Sequence, residues 1–135
     1  MRKIFVIEDD DVIRETMREL LELEGYEVIT AINGREALAQ LDLDSSLGPS
    51  NSATHPCLIL LDLMMPVMSG GEFLATLVQS RPDILRKSAI VVITAAADTF
   101  GARLPVPGLE VIQKPMEVDN LINIAARHCG RAHCC

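Results

Sequence analysis

No stretch of the sequence is apolar over the roughly 18–20 residues that a membrane-spanning helix needs. The N-terminal segment Met1–Glu8 has two basic residues, but only four apolar residues follow before acids interrupt them. That run is too short for a secretory signal. We therefore expect a cytoplasmic protein that is not exported and makes no contact with a membrane.

Positive charge is also scarce. The chain has 12 Lys and Arg against 19 Asp and Glu, a net charge of −7, and the basic cluster Arg86-Lys87 is small. Nucleic-acid binding needs clustered Lys and Arg to neutralise phosphates. A direct nucleic-acid partner is therefore not expected.

Length and composition predict one globular domain. The 135 residues can bury one substantial core, and 49% of them are hydrophobic, with a mean hydropathy of +0.26. The sequence shows no internal repeat, and no second domain fits within it. We place the domain at residues 1–129 and a short C-terminal tail at residues 130–135.

The four cysteines divide into one internal residue and a C-terminal group. Cys57 lies in an apolar run and is expected to be a small buried hydrophobe. The pair His128-Cys129 and the run His133–Cys135 offer metal or redox ligands, but their spacing matches no common zinc pattern. A frayed, reduced C-terminus is the favoured interpretation, and a metal or redox site is the alternative.

Apolar runs typical of strands alternate with helical patterns along the chain. This alternation predicts five βα units around a parallel sheet. Residues 44–55 are rich in Ser, Gly, Pro and Asn and indicate a surface loop. The predicted strands are Lys3–Ile7, Tyr26–Ala31, Leu58–Asp62, Ala89–Ala95 and Leu109–Gln113.

Each helical pattern has one apolar face, which we expect to contact the sheet. Asp10 or Asp11 is expected to cap the first helix, and Gly25 to end it. A short helix at Asp98–Leu104 would be cut off by the prolines that follow. The expected inward residues are Val12, Ile13, Met17, Leu20 and Leu21 in the first helix, Ala37, Leu38 and Leu41 in the second, Phe73, Leu74, Leu77 and Val78 in Gly70–Ser80, and Val118, Leu121, Ile122, Ile124 and Ala125 in Glu117–His128.

Polar residues stand at the ends of four predicted strands, namely Glu8 with Asp9, Asp62, Thr94 and Lys114. Because the carboxyl ends of parallel strands open onto one edge of a sheet, these residues can converge in one cleft.

Asp62 is the central residue of this group. It ends a continuously apolar strand, and Pro66, Ser69 and Gly70 put the next helix several residues further on, so Asp62 is a poor candidate for a helix cap. It therefore needs another role, as a metal ligand or a nucleophile.

The predicted cleft suits a phosphoryl group. Three carboxylates a few ångströms apart repel one another unless a cation neutralises them, and Mg²⁺ prefers such oxygen ligands. The metal and Lys114 would neutralise phosphoryl oxygens, and Thr94 would donate a hydrogen bond to one of them. Asp62 would attack in line to form an aspartyl phosphate.

Taken together, these residues resemble the receiver domain of two-component response regulators, over nearly the whole chain. The matching stretches are Val6–Asp10 with Ile13–Glu15, Leu60–Pro66 with Gly70, Val92–Ala95 and Lys114-Pro115. The resemblance implies a flavodoxin-like α/β fold, which is a doubly wound, five-stranded parallel sheet with strand order 2-1-3-4-5.

The resemblance also implies the role of each site residue. Asp62 would accept a phosphoryl group from a sensor histidine kinase or phosphotransfer protein in a Mg²⁺-dependent reaction. Asp9 and Asp62 would bind Mg²⁺ directly, Glu8 would act through metal-bound water, and the backbone carbonyl of Met64 would complete the shell. A cis peptide before Pro115 would aim the preceding lysine into the cleft.

A receiver of this kind catalyses only its own phosphorylation and dephosphorylation, so we expect no enzyme that acts on a separate substrate. The resemblance implies a stand-alone, chemotaxis-receiver-like response regulator. We expect output through a protein partner that binds the Asp98–Gly108 region and the last helix. The sequence departs from the family where Val111 replaces a Tyr or Phe and where the Thr94–Lys114 interval is short.

Two alternatives remain. Val111 and the short interval motivate a phosphorylation-independent interaction module with the same fold. The order of Asp9, Asp11, Thr94 and Lys114 also resembles haloacid-dehalogenase-type phosphatases, with Asp9 as nucleophile. However, no paired acidic motif follows Lys114 in this sequence, and Asp62 would have no role in such a phosphatase.

Overall fold

The computed structural model describes residues 3–45, 56–63, 67–95, 109–114 and 116–130. Within these ranges, none of the helices combines the length and the apolar character needed to cross a membrane. The elements are β1 (Lys3–Ile7), α1 (Asp11–Leu23), β2 (Glu27–Ala31), α2 (Gly34–Ser45), β3 (Leu58–Asp62), α3 (Gly70–Ser80), α4 (Pro82–Lys87), β4 (Ala89–Thr94), β5 (Glu110–Gln113) and α5 (Val118–Cys129).

The five strands form one parallel sheet in the order β2-β1-β3-β4-β5. This order confirms the predicted α/β fold, and the predicted strands agree with the structure to within one residue at each end. Strand β3 lies at the centre, and all five of its residues are buried. A continuously apolar strand is favoured there because helices cover both faces of the sheet.

Helices pack on the two faces as separate layers. On one face, α2, α3 and α4 cover side chains such as Phe5, Ile59 and Val92. On the other, α1 and α5 cover the alternate residues, including Val6 and Leu60. This division follows from the period of two in a strand, which sends neighbouring side chains to opposite faces.

Four of the apolar residues expected to face the core are exposed instead. Val78 and Val118 are 44% and 47% exposed. Val12 and Ile13 are 75% and 37% exposed, although Met17 and Leu21 of the same helix are buried as predicted. Both Val12 and Ile13 belong to the first turn of α1, where they line a groove beside Lys114. Helical periodicity predicts the apolar side of a helix, but not how far along the helix the core extends.

Helix α4 was not predicted. It is only six residues long, with Pro82 in its first turn, Ile84 buried beneath it and two basic residues in its last turn. Its two core-contacting residues, Ile84 and Leu85, are adjacent in the chain and carry no periodic signal. The predicted loop at 44–55 starts inside α2, which continues to Ser45, and residues 46–55 lie outside the described ranges.

The expectation for the cysteines was wrong for two of them. Cys57 and Cys129 form a disulfide with their Cα atoms 5.4 Å apart. Cys129 ends α5 and is 6% exposed, so it is not part of a frayed terminus. The two residues are 72 positions apart in the chain, and no local spacing could indicate their pairing. Residues His133–Cys135 lie outside the described part of the chain.

Candidate functional site

The strand register brings the predicted site residues to one edge of the sheet. Ile7 of β1 pairs with Leu61 of β3, so the next residues, Glu8 and Asp62, leave the sheet side by side. Asp62 is itself in register with Ile93, and Thr94 follows at the carboxyl end of β4. The polar groups meet because parallel neighbouring strands end at the same level.

Three carboxylates form the acidic part of this site. Oxygen atoms of Glu8, Asp9 and Asp62 all lie within 4.8 Å of one another. Glu8 and Asp62 are each only 3% exposed, whereas Asp9 is exposed to solvent. Glu8 and Asp62 are therefore shielded from water, whereas Asp9 is in contact with solvent.

Lys114 supplies the positive charge between the two buried acids. Its Nζ lies 2.7 Å from Glu8 Oε1 and 3.2 Å from Asp62 Oδ2. Its backbone N–H donates to the carbonyl of Thr94 at 2.9 Å, which extends the pairing of β5 with β4 by one residue. The lysine thus emerges from an edge strand and reaches across β4 to the acids.

Burial raises the pKa of Glu8 from 4.5 to about 8, and the neighbouring Asp62 carboxyl group acts in the same direction. The nearby Lys114 ammonium lowers this pKa but does not offset the burial. Burial lowers the pKa of Lys114, yet the carboxylates of Glu8 and Asp62 outweigh it, and its pKa is raised. Lys114 therefore remains a cation at neutral pH, and protonation of Glu8 is favoured well above the usual pH range of a carboxyl group.

One oxygen of this cluster has no partner. Glu8 Oε2 is buried and accepts no hydrogen bond from the described residues. A buried oxygen of this kind is unfavourable unless a water or a cation satisfies it. The set of hard oxygen donors around it, all from carboxylates, fits Mg²⁺ better than a softer metal.

The turn after β1 holds the acidic cluster in place from one side. Asp10 caps α1 by accepting the Ile13 N–H at 3.0 Å, which confirms one of the two predicted caps. Arg14 Nη1 donates to the backbone carbonyl of Glu8 at 3.1 Å, and its Nη2 pairs with Asp11. Sequence reasoning missed this role of Arg14. The sequence offers only a weak indication of it, namely a basic residue in the first turn of a helix that follows an acidic run.

The start of α3 supports Asp62 from the other side. Ser69 and Glu72 form a capping box, each side chain accepting the other residue's N–H at 3.2 Å. This helix begins at Gly70, as predicted, and the Ser-x-x-Glu spacing of the sequence is a further signal for that start. A Cβ added at Gly70 would lie 2.6 Å from the Asp62 carbonyl and 2.8 Å from Leu63 Cα. Only glycine allows α3 to begin this close to the end of β3.

Val67, in the same connection, has a φ of 70° and is 70% exposed. A left-handed backbone is rare for a β-branched residue, because its Cβ crowds the following carbonyl. The turn beside Asp62 is therefore strained at Val67.

Several predicted features lie outside the described residues. These are the carbonyl of Met64, the peptide before Pro115, and the Asp98–Gly108 region with its short helix. Thr94 is fully buried at the end of β4, and Val111 is partly buried against the core on the α2–α4 face. The structure thus brings Glu8, Asp9, Asp62 and Lys114 into one cluster.

The chain is similar in sequence to known proteins. The sequence model of the response regulator receiver domain matches residues 4–126. Transcriptional regulatory protein CrdR of Helicobacter pylori is 31% identical over 122 residues, which are 89% of this chain and 51% of that protein. Protein PilG of Pseudomonas aeruginosa is 40% identical over 70 residues, 52% of this chain and 44% of that one. The chain thus spans about half the length of these curated relatives.

Solved structures show the same fold. Chemotaxis protein CheY4 of Vibrio cholerae superposes with a TM-score of 0.71 at 27% identity, over 95% of this chain and 98% of that chain. Response regulator protein TrrA from Thermotoga maritima, in complex with Mg²⁺ and BeF, gives a TM-score of 0.71 at 29% identity, over 94% and 98% of the two chains. This chain belongs to the response regulator receiver domain family.

Proposed function

We propose that this receiver accepts a phosphoryl group on Asp62 from a sensor histidine kinase or a phosphotransfer protein. Phosphorylation on aspartate is general to the family. The observation that carries the assignment is the position of Asp62, which is 3% exposed, ends the central strand and lies 3.2 Å from the Lys114 ammonium. Asp9 is exposed and lies in the turn after β1, so it is better suited to bind a metal than to accept the phosphoryl group.

In the proposed transfer, a carboxylate oxygen of Asp62 forms a bond to phosphorus while the phosphorus–nitrogen bond of the donor histidine breaks. The electron pair of that bond stays on the histidine nitrogen, which takes up a proton. Lys114 stabilises the negative charge of the phosphoryl oxygens, and the Thr94 hydroxyl donates a hydrogen bond to one of them.

We propose Mg²⁺ as the cofactor, as is general for receivers. Asp9 and Asp62 would bind it directly, Glu8 would act through a metal-bound water, and the Met64 carbonyl, outside the described residues, would complete the set. The buried, unpartnered Glu8 Oε2 and the 4.8 Å grouping of carboxylate oxygens support this donor set. When bound, the ion supplies positive charge that offsets the repulsion between the acids and an incoming phosphate.

We propose a protein rather than a small molecule as the physiological donor. A groove of about 480 Å³ adjoins the site and is lined mainly by apolar side chains, among them Val12, Ile13 and Met116, together with Lys114. Exposed apolar side chains grouped at one place indicate a protein-contacting surface. The groove leads directly to the lysine of the site.

We further propose that residues 1–129 act as the receiver and 130–135 as its tail, in the cytoplasm. Output would pass to a protein partner through the Asp98–Gly108 region and α5, without direct contact to nucleic acid or membrane. The chain would catalyse only its own phosphorylation and dephosphorylation. A phosphorylation-independent interaction module is the second candidate, because Val111 stands where the family carries an aromatic residue.

Intact-mass measurement after incubation with acetyl phosphate and Mg²⁺ tests this proposal. We expect one added phosphoryl group, absent after EDTA treatment and absent in Asp62→Asn. Asp83→Asn is the matched control, since Asp83 pairs with Arg81 on α4, away from the site. Peptide mapping should place the adduct on Asp62. An adduct on Asp9 would support the phosphatase-like alternative, and a folded, Mg²⁺-binding protein without any adduct would support the interaction module.

A further inference from the structure

We propose that Cys57 and Cys129 form a reversible thiol–disulfide site, open to low-molecular-weight thiols and disulfides such as glutathione, that fastens the end of α5 to the start of β3. The two Cα atoms lie 5.4 Å apart, within the range that a disulfide requires. Cys57 directly precedes β3, so the site lies at the opposite end of that strand from Asp62, roughly 16 Å away at strand rise.

The two cysteine residues differ in exposure. Cys129 is 6% exposed and packs with the apolar layer between the sheet and helices α1 and α5. Cys57 is partly exposed. An incoming thiolate therefore reaches Cys57 Sγ more readily than Cys129 Sγ, which makes Cys129 the leaving group.

Reduction at this site is a two-step exchange. A thiolate forms a bond to Cys57 Sγ as the bond to Cys129 Sγ breaks, and the released electron pair on Cys129 Sγ takes up a proton. A second thiolate then attacks the added sulfur and releases Cys57 as a thiol. In total, the protein disulfide becomes two thiols and two small thiols become one disulfide.

The surroundings accommodate the reduced form as well as the oxidised form. The backbone carbonyl of Lys3 lies 3.2 Å from Cys57 Sγ, where it can accept a hydrogen bond from a Cys57 thiol. Cys129 as a thiol would remain a small apolar side chain in an apolar layer.

Helix α5 is also held by contacts that do not depend on the disulfide. Its own side chains Leu121, Ile124 and Ala125 are buried in the core. Just beyond its last residue, the hydroxyl of Tyr26 donates to the Gly130 carbonyl at 2.7 Å. Reduction should therefore leave the fold in place and lower only its resistance to unfolding.

The covalent bond has a large effect on that resistance because it spans much of the chain. It joins residues 72 positions apart and encloses Asp62, Thr94 and Lys114 in one loop. Closing so long a loop restricts the unfolded chain strongly. In a reducing compartment such as the cytoplasm we expect Cys57 and Cys129 to be thiols and to form the disulfide when disulfide oxidants accumulate.

The test uses the full chain carrying Cys134→Ser and Cys135→Ser, which leaves only this pair. The protein is equilibrated with glutathione at varied ratios of thiol to disulfide, and its free thiols are alkylated and counted by intact mass. We expect a reversible change from two free thiols to none, with unchanged circular dichroism at both ends. The thermal midpoint should be about 10 °C lower in the reduced form.

Cys57→Ser in the same background is the matched control, since its hydroxyl can still donate to the Lys3 carbonyl but cannot form the bond. Its thermal midpoint should not depend on the glutathione ratio. Peptide mapping of the oxidised wild-type chain should join Cys57 to Cys129. The proposal is overturned if both thiols stay free in oxidised glutathione, if they are released only after unfolding, or if the reduced protein loses its fold.

Discussion

The Lys114 ammonium lies 2.7 Å from Glu8 Oε1, while the other oxygen of the same carboxyl group is buried and has no hydrogen-bond partner among the described residues. Only one of the two Glu8 carboxyl oxygens therefore has a partner within the described part of the chain. The lysine favours its ionised form, whereas burial favours its protonated form more strongly, and its pKa rises to about 8. This balance makes the site sensitive to pH and to added cations, from which the first three predictions follow.

The free energy of unfolding should fall as the pH rises from about 5 to 8 in the absence of metal. Between the unfolded pKa of 4.5 and the folded pKa of about 8, the folded state holds a proton on Glu8 that the unfolded state lacks. Each rise of one pH unit in that window then lowers the free energy of unfolding by up to about 1.4 kcal/mol. Urea unfolding of wild type and Glu8→Gln checks this. Wild type should lose stability relative to Glu8→Gln steadily as the pH rises, because the glutamine stays neutral, and a constant difference would contradict the raised pKa.

Binding of Mg²⁺ at pH 7 should release close to one proton. Glu8 favours its protonated form there because its pKa is raised to about 8, and a nearby bound cation favours its ionised form. Titration calorimetry in buffers of different ionisation enthalpy measures the release. It should fall toward zero at pH 9 and be absent in Glu8→Gln. Equal proton release at pH 7 and pH 9 would show that another group titrates.

Lys114→Met should destabilise the protein more at pH 9 than at pH 6. At pH 9 the ionised Glu8 of wild type is paired with the lysine, so the substitution forces Glu8 either to take up a proton or to remain a buried charge beside Asp62. We expect a loss of about 3 kcal/mol at pH 9, of the order seen when a buried ion pair loses one partner. Lys87→Met, at an exposed lysine in the last turn of α4, should have little effect at either pH. The measurement is urea unfolding at both pH values.

Gly70→Ala should destabilise the fold by about 2 kcal/mol and lower the yield of phosphorylated protein. The added Cβ would meet the backbone of Asp62 and Leu63 at 2.6 and 2.8 Å, and neither atom can move without shifting the end of β3. Gly71→Ala is the control, since its Cβ would meet only Ser69 Oγ, at 3.9 Å. Alanine there should be neutral or slightly stabilising, as in other helices. Similar unfolding midpoints for the two variants would refute the close approach at Gly70.

Val67→Gly should stabilise the protein by about 0.5–1 kcal/mol, an unusual direction for a change to glycine. The φ of 70° is strained for valine and free of strain for glycine, and the 70% exposed side chain contributes little burial. Val67→Asn should share part of the gain, because asparagine tolerates this backbone region. Val67→Ala keeps the Cβ and should gain least. Thermal unfolding of the three variants ranks them, and a less stable glycine variant would argue against strain.

The fold could be predicted from the sequence because its signals are local. Buried strands such as β3 appear as short apolar runs, and the helices between them appear as patterns of three to four residues. The limits of those signals are visible in α1, where Met17 and Leu21 are buried but Val12 is 75% exposed. Periodicity reports which side of a helix is apolar, and only packing against the sheet decides which turns are covered. The six residues of α4 are too few to show any period.

The strands, their parallel arrangement and the polar residues at their carboxyl ends could be predicted from the sequence, because each follows from local patterns along the chain. Three contacts become visible only in the folded protein: Lys114 with both Glu8 and Asp62, Gly70 with the Asp62 carbonyl, and Cys57 with Cys129. These contacts join residues from different strands and helices. Their distances depend on how the layers pack, which sequence spacing does not record.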